Sequence, residues 1–555
     1  MMLGRLPFHQ RSKNMRLAYS RVAKVFRSSA TSAPFQNTHY VTDVLNSSVY
    51  DIARESALDF APDLSQKIGN NVFLKREDTQ VTFAANIRGA YNKLKALSKQ
   101  DMLKGIVAVN AGNHAEGVAT AAKALGIDAV VVIPTGTTRT IVSKLHNLGV
   151  RVVIEGSNFE DSLTVMERIA TDEGRVVVHP FDDPLVIAGH GTIGAEILRQ
   201  RGANRLDAIF CVTGGGGILG GVAAFVKQVR PSVTVVGVES EDAAPLQASL
   251  KMGSRVKLRD VGQFVDASAP NTIGRENFSL CRSFVDETIT VSTDDVCAAI
   301  RDGFDATRVL LDPSGALGIA GLKKWVHRTG AEGQSLVAIN TSATMEFDRM
   351  RFIAERADDS EQFVSITIPE RPGAFYKLYT MLHPRNVTEF SYRAHSAEVT
   401  PRMSMAMDGV PAAEAFIYLS FQANGHKDAQ IVMEQLAAEG FAVRDLSDNE
   451  LAKLHARHLV GGRASVPHER LLRFQFPEKP GALRKFLDCL AKGVHFDFHT
   501  VSSWNVSLFH YRNHGDDIGR VLAGIQVLPD YEDHFQQFLI ELGYSYVDET
   551  ANPVY

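Results

Sequence analysis

Cysteine is scarce in this chain of 555 residues, which holds four: Cys211, Cys281, Cys297 and Cys489. They form no CxxC pair and no metal-ligand spacing, which argues against a disulfide framework and a cysteine-based metal centre. Buried, reduced thiols are expected, as in a reducing compartment. Long apolar runs are also missing. No stretch of about 18 apolar residues occurs, so no transmembrane helix is expected. No GxxxxGK[ST] occurs, so a nucleoside-triphosphate loop is not expected. Acid is absent from residues 1–42, which carry Arg5, Arg11, Lys13, Arg16, Arg21, Lys24 and Arg27.

That acid-free head has the composition of an organelle transit segment. Its spaced arginines favour a mitochondrial over a plastid address. It has no 7–15-residue apolar stretch, which argues against a secretory signal. A disordered basic tail is the plainer alternative. The chain holds 59 basic and 63 acidic side chains, so the remainder after the seven basic residues of the head carries a net −11. An acidic body argues against nucleic acid or an anionic membrane as partner.

The 45% hydrophobic and 22% charged content is that of ordinary globular protein. At roughly 100–200 residues per domain, the length suggests about three to five domains. From about 70 to 340, short β-branched runs alternate with helical patterns. Gly105–Val109, Ala129–Ile133, Arg151–Ile154, Arg175–Val178, Ala208–Val212 and Thr234–Val238 read as strands. Gly117–Leu125 and Gly191–Arg201 read as helices between them. This pattern predicts βαβ units and a mostly parallel sheet covered on both faces.

Residues 355–361 read as a linker, and a repeat follows. Pro369-Glu370-Arg371-Pro372-Gly373-Ala374 recurs as Pro477-Glu478-Lys479-Pro480-Gly481-Ala482. Asn386–Arg393 recurs as Asn505–Arg512 in the same order, with 11 extra residues around Lys492–Ser503 in the second copy. Duplicated modules of about 90 residues follow, each reading as a split βαβ, ferredoxin-like unit.

Gly214-Gly215-Gly216-Gly217 lies between a predicted strand and a predicted helix, the context of an anion cradle. Locally, Gly215–Gly220 also satisfies GxGxxG. Glu239 then stands where a ribose-binding acid would be expected, so a dinucleotide site is one reading.

The wider sequence resembles the threonine deaminase (threonine ammonia-lyase) family over roughly residues 40–555. The resemblance is carried by Leu74-Lys75-Arg76-Glu77-Asp78, Arg88-Gly89-Ala90-Tyr91 and Ala111-Gly112-Asn113-His114-Ala115. Pro180-Phe181-Asp182, Ile187–Thr192, the four glycines, Pro313–Leu317 and the segment Asp445–Gly462 add to it. It implies a fold type II pyridoxal 5′-phosphate (PLP) domain, similar to the tryptophan synthase β subunit, with two ACT-like regulatory modules. It implies that Gly214, Gly215, Gly216 and Gly217 hold the PLP phosphate and that Asn113 bonds the ring 3-oxygen. Thr341 takes the place of a serine facing the pyridine nitrogen. The implied reaction converts L-threonine to 2-oxobutanoate and ammonia on the way to isoleucine. Isoleucine and valine are the implied effectors, a tetramer the implied assembly, and no metal is involved.

One departure stands out. The family reads Ser-Phe-Lys-Leu-Arg-Gly-Ala-Tyr where this chain reads Ala84-Ala85-Asn86-Ile87-Arg88-Gly89-Ala90-Tyr91. Asn86 thus occupies the position of the lysine that forms the Schiff base, and an amide neither forms that bond nor acts as a base near neutral pH. Lys75, Lys93 and Lys95 are no obvious substitutes. Asn110, Asp266-Ala267, Asp312 and Thr341-Ser342-Ala343-Thr344 also depart from the family pattern. Three readings follow. The first is a threonine ammonia-lyase with impaired catalysis and PLP held non-covalently. The second is an amino-acid-sensing regulatory subunit, a pseudoenzyme paired with an active paralogue. The third is a dinucleotide-binding oxidoreductase. The expected organisation is 1–42 address, 43–355 PLP-type domain, 356–462 first module with linker and 463–555 second module.

Overall fold

The computed structural model describes residues 39–109, 112–262, 264–265, 270–357, 361–369, 374–382, 385, 387–392, 404–405, 411–412, 414–423, 426–447, 449, 451–452, 468–477, 485–486, 489, 494–496, 499–501, 505–512 and 518–554. Ten strands build the larger domain: β1 (Leu58–Phe60), β2 (Asn71–Arg76), β3 (Ile106–Val109), β4 (Ala129–Ile133), β5 (Arg151–Ile154), β6 (Val176–Val178), β7 (Ala208–Val212), β8 (Thr234–Ser240), β9 (Glu287–Val291) and β10 (Ser335–Asn340). They form two sheets, β1-β2-β10-β7-β8-β9 and β5-β4-β3-β6. All pairings are parallel except β1 with β2.

The strands are apolar on both faces because both faces are covered. In the smaller sheet, Val107, Val109, Val130 and Val132 pack with Val165, Met166 and Ile169 of the helix Phe159–Glu173. The alternate residues Ile106, Ala108, Ala129, Val131 and Ile133 join a separate core with Ile87, Ala115 and Val118. Successive side chains point to opposite faces of a strand, so one continuous apolar run serves two cores. The larger sheet behaves likewise: Phe210 and Val212 enter one core, Ile209 and Cys211 another. All four cysteines are free and buried. No helix among the described residues is long and apolar enough to cross a membrane.

Six helices place the site: α1 (Asn86–Lys95), α2 (Asn113–Leu125), α3 (Pro184–Arg201), α4 (Gly217–Val229), α5 (Arg275–Phe284) and α6 (Pro313–Thr329). The predicted strands match β3 to β8 within a residue or two at their ends. Two boundaries differ from expectation. Tyr40 is buried and its hydroxyl donates to Glu276 at 2.8 Å, so the folded body reaches into the expected 1–42 address segment. The expected linker is shorter than 355–361: Arg356 closes the helix Met350–Arg356, and Glu361 already opens the next strand.

The two C-terminal modules repeat one topology. The first orders its strands 387–392, 414–422, 361–369, 442–445; the second 505–512, 518–526, 469–477, 545–548, all antiparallel. The first module has helices after its first and third strands, Ala374–Leu382 and His426–Ala438, and the second has Glu532–Leu542 after its third; with this strand order the modules are ferredoxin-like. The repeat extends to a defect. Pairing slips between Val387 and Glu389 in one copy and between Val506 and Leu508 in the other, equivalent positions. Bulges are specific features of a strand, so a shared one supports duplication. The extra segment of the second copy contributes a short ladder, Val494–Phe496 with His499–Val501.

Candidate functional site

Four strands direct their carboxyl ends to one place. The chain leaving β3 supplies Asn113 and His114; β6 leads to Pro180 and Phe181; β7 leads to Thr213 and the glycines; β10 leads to Thr341 and Ser342. Asn86 at the head of α1, His190 of α3 and Ser314 of α6 complete the lining of a narrow cavity of about 70 Å³. The carboxyl ends of the strands are where an α/β fold places a small-molecule site.

The glycine loop is shaped by backbone geometry and by one aromatic ring. Gly214 and Gly216 hold φ at +51° and +94°. The Gly216 amide donates to Thr213 O at 2.7 Å and closes a tight turn into α4. A Cβ on Gly215 would stand 2.2 Å from the Phe181 ring, so only glycine fits there. The first amides of α4 have no intrahelical acceptor and sit at the positive end of its dipole. Gly214, Gly215 and Gly217 line the cavity, whereas Gly216 turns against Asn277 and Ile273. Asn277 anchors the loop by donating to Phe181 O at 2.8 Å and to Gly215 O at 2.9 Å.

Two buried hydroxyls on the lining, Thr213 Oγ1 and Ser342 Oγ, have no hydrogen-bond partner among the described residues. Buried polar groups are rarely left so, and a bound ligand would satisfy them. Asn113 is held at one end of its amide. Thr344 Oγ1 lies 2.7 Å from Asn113 Oδ1 and 2.9 Å from Asp312 Oδ2. Asp312 also accepts from the Thr344 amide at 3.0 Å and caps α6 through the Gly315 amide at 2.9 Å. Thr341 donates its hydroxyl proton to Ser314 O at 3.3 Å, which leaves its lone pairs to accept. Burial depresses His114 to a pKa of about 4 and His190 to about 3, so both rings are neutral near pH 7.

No lysine of the described residues is among the lining. Lys75 Nζ is 2.6 Å from Glu196 Oε2, Lys93 pairs with Asp183 at 2.7 Å and Lys95 with Asp51 at 3.0 Å. Asn86 is half-buried and its side chain has no partner among the described residues.

Residues 51–342 match the model of pyridoxal-phosphate-dependent enzymes, and residues 353–405 and 460–555 match the C-terminal regulatory domain of threonine dehydratase. The mitochondrial threonine dehydratase of Saccharomyces cerevisiae is 45% identical over 525 residues, covering 93% of this chain and 88% of the relative. The chloroplastic biosynthetic threonine dehydratase 1 of Solanum lycopersicum is 41% identical over 519 residues, covering 93% and 82%. This chain belongs to the threonine dehydratase family. The processed form of threonine deaminase isoform 2 from Solanum lycopersicum superposes with a TM-score of 0.57 at 39% identity, covering 58% of this chain and 88% of that one.

As a threonine dehydratase family member, the chain brings a PLP-type site, and the lining residues fit part of that cofactor. The amide cradle suits a phosphate, and the unpartnered hydroxyls and Asn113 suit ring substituents. The lining offers no amine for covalent attachment. The dinucleotide reading finds no support: Glu239 is buried and accepts from the Leu246 and Gln247 amides, both at 2.8 Å, capping the helix Pro245–Met252. Burial lifts its pKa to about 7. Asn110, Asp266 and Ala267 lie outside the described residues.

Sequence reasoning missed what several family motifs build. Arg88 bonds Glu77 through Nε at 2.7 Å and Glu196 through Nη1 at 2.6 Å, and Lys75 joins at Glu196. All four side chains are fully buried, two positive and two negative. The motifs around Lys75, Arg88 and Thr192 thus meet beneath α1 as a neutral ion network. Charged motif residues on an inward-facing helix and strand were the available signal.

Proposed function

We propose that this chain is a threonine dehydratase family subunit that binds PLP non-covalently and catalyses threonine deamination poorly or not at all. The observation that carries the reading is Asn86 at the head of α1, facing a cavity lined by no lysine. When bound, PLP supplies the electron sink for cleavage at an amino-acid Cα. Gly214, Gly215 and Gly217 would hold its phosphate, with Gly216 fixing the turn. Asn113, steadied by Thr344, would bond the ring 3-oxygen, and Thr341 would face the pyridine nitrogen. The Asn86 amide does not act as an acid or a base near neutral pH, and loss of a positioned base typically costs about 10²–10⁴-fold.

The substrate class is L-threonine or a similar amino acid. The domain organisation follows the sequence boundaries, with the PLP-type domain extended back to Tyr40 and running to 355, and modules at 356–462 and 463–555. The modules bind isoleucine as inhibitor and valine as its antagonist. The chain assembles as a homotetramer or with a lysine-bearing paralogue. In the second arrangement it acts as a non-catalytic amino-acid sensor, which the lysine-free lining also favours. The basic head addresses it to the mitochondrion, supported by the mitochondrial yeast relative; the tomato relative keeps the plastid as the alternative.

The test is direct. The purified chain is loaded with PLP, reduced with borohydride and assayed for 2-oxobutanoate from threonine. No lysine adduct and no turnover support the reading. A stable lysine adduct with robust turnover would overturn it.

A further inference from the structure

We propose that the cavity prefers the amine-bearing form of a phosphorylated pyridine over the aldehyde, with Asn86 accepting the ammonium. The ligand class is pyridoxamine 5′-phosphate and its N-substituted amino-acid derivatives. This rests on reading the cavity as a PLP-type site and goes beyond it by naming which form is taken.

Three observations converge. First, the lining contains no primary amine, so an aldehyde entering the cavity gains no covalent bond. Second, the Asn86 amide is half-buried, without a partner among the described residues. Its carbonyl accepts a charge-assisted hydrogen bond from an ammonium, roughly twice as strong as the neutral bond its NH₂ gives an aldehyde oxygen. Third, the described lining holds no lysine, arginine, aspartate or glutamate, and His114 and His190 are held neutral by burial. An anionic ligand therefore meets amides and a helix dipole but no counter-cation. Pyridoxamine phosphate carries its own ammonium, which offsets its phosphate inside the cavity; the aldehyde does not.

The phosphate end is anchored independently of Asn86. The N-terminus of α4 is backed by Thr213, whose buried hydroxyl has no partner, and Ser342 offers a second such hydroxyl. The phosphate thus carries most of the affinity, and the group at Asn86 sets the preference between forms.

The experiment is calorimetric titration of the full-length chain with pyridoxamine 5′-phosphate, PLP and unphosphorylated pyridoxamine. Pyridoxamine 5′-phosphate is expected to bind one per chain and at least tenfold tighter than PLP. Pyridoxamine is expected to bind at least a hundredfold more weakly than its phosphate ester. Asn86→Ala should erase the preference while PLP binding persists, and Asn86→Lys should invert it. PLP binding as tight as or tighter than pyridoxamine phosphate overturns the proposal, as does an Asn86→Ala chain that keeps the preference. If PLP binds and pyridoxamine phosphate does not, this inference alone fails. If neither phosphorylated pyridine binds, the cofactor-site reading fails with it. Thermal unfolding of each variant confirms that the comparison is between folded chains.

Discussion

Lys75 Nζ and Glu196 Oε2 lie 2.6 Å apart with neither side chain exposed to solvent. Nζ also donates to Ser56 O at 2.7 Å and to Gln200 Oε1 at 3.0 Å, so all three of its donors are used. The pair holds the sheet against α3 and keeps this lysine out of the cavity. Replacing Lys75 with methionine leaves Glu196 with only Arg88 as cationic partner and should cost about 3–5 kcal/mol of stability. Urea unfolding checks this. Labelling by PLP and borohydride should stay as low as in the parent; a loss of labelling would show that Lys75 reaches the cofactor.

Asn86→Lys places an amine at the head of α1, where we propose the family carries its lysine. Borohydride should then fix a pyridoxyl group on residue 86, found by peptide mass mapping, and 2-oxobutanoate formation should rise by about 10²-fold or more. Recovery should stay partial, because Ser342, Thr344 and Ala267 depart from the family pattern as well.

Gly216→Ala tests the cradle. With φ at +94°, and a Cβ that would stand 2.6 Å from Asn277 Cβ, the turn into α4 must shift. The left-handed backbone alone costs about 1–2 kcal/mol for an L-residue. Affinity for any phosphorylated pyridine should fall at least tenfold, while affinity for unphosphorylated pyridoxamine stays as it was.

The histidines give a pH signature. His114 is buried and has a folded-state pKa of about 4 against 6.5 for the free group. A depressed folded pKa means stability that is fully present above pH 6.5 and lost as pH falls through about 4. Melting temperature should therefore drop between pH 6.5 and 4, and His114→Gln should flatten that fall. An unchanged slope in the variant would show that other groups carry it.

Isoleucine should stabilise the chain if the modules retain their effector sites. Ligand at a hundredfold excess over its dissociation constant adds about 2.7 kcal/mol to the folded state. A rise in melting temperature on adding isoleucine, reduced by valine, is the expected result. No shift at millimolar isoleucine would count against the sites.

Much of the fold was legible because its signals are local. Val130-Val131-Val132 reads as a covered strand because both of its faces meet packed helices. The module repeat was legible in Pro369–Ala374 and Pro477–Ala482, though the shared bulge was not, because a bulge is a property of pairing. The strand–glycine–helix context located the cradle. It left the guest ambiguous, since GxGxxG and a downstream acid also suit a dinucleotide. Glu239 resolved that only in three dimensions, where it caps a helix.

By itself, the sequence determined the α/β and ferredoxin-like architecture and the family, and it put an asparagine at residue 86. Those follow from periodicity, order and residue identity along one line. Only the tertiary structure decided that no lysine of the described residues lines the cavity, that Gly216 closes the turn and is not part of the lining, and that Thr344 lies between Asn113 and Asp312. It also decided that the motif charges of Lys75, Glu77, Arg88 and Glu196 neutralise one another beneath α1. Charges buried together must find partners, and residues up to 121 positions apart become partners only when the sheets and helices pack.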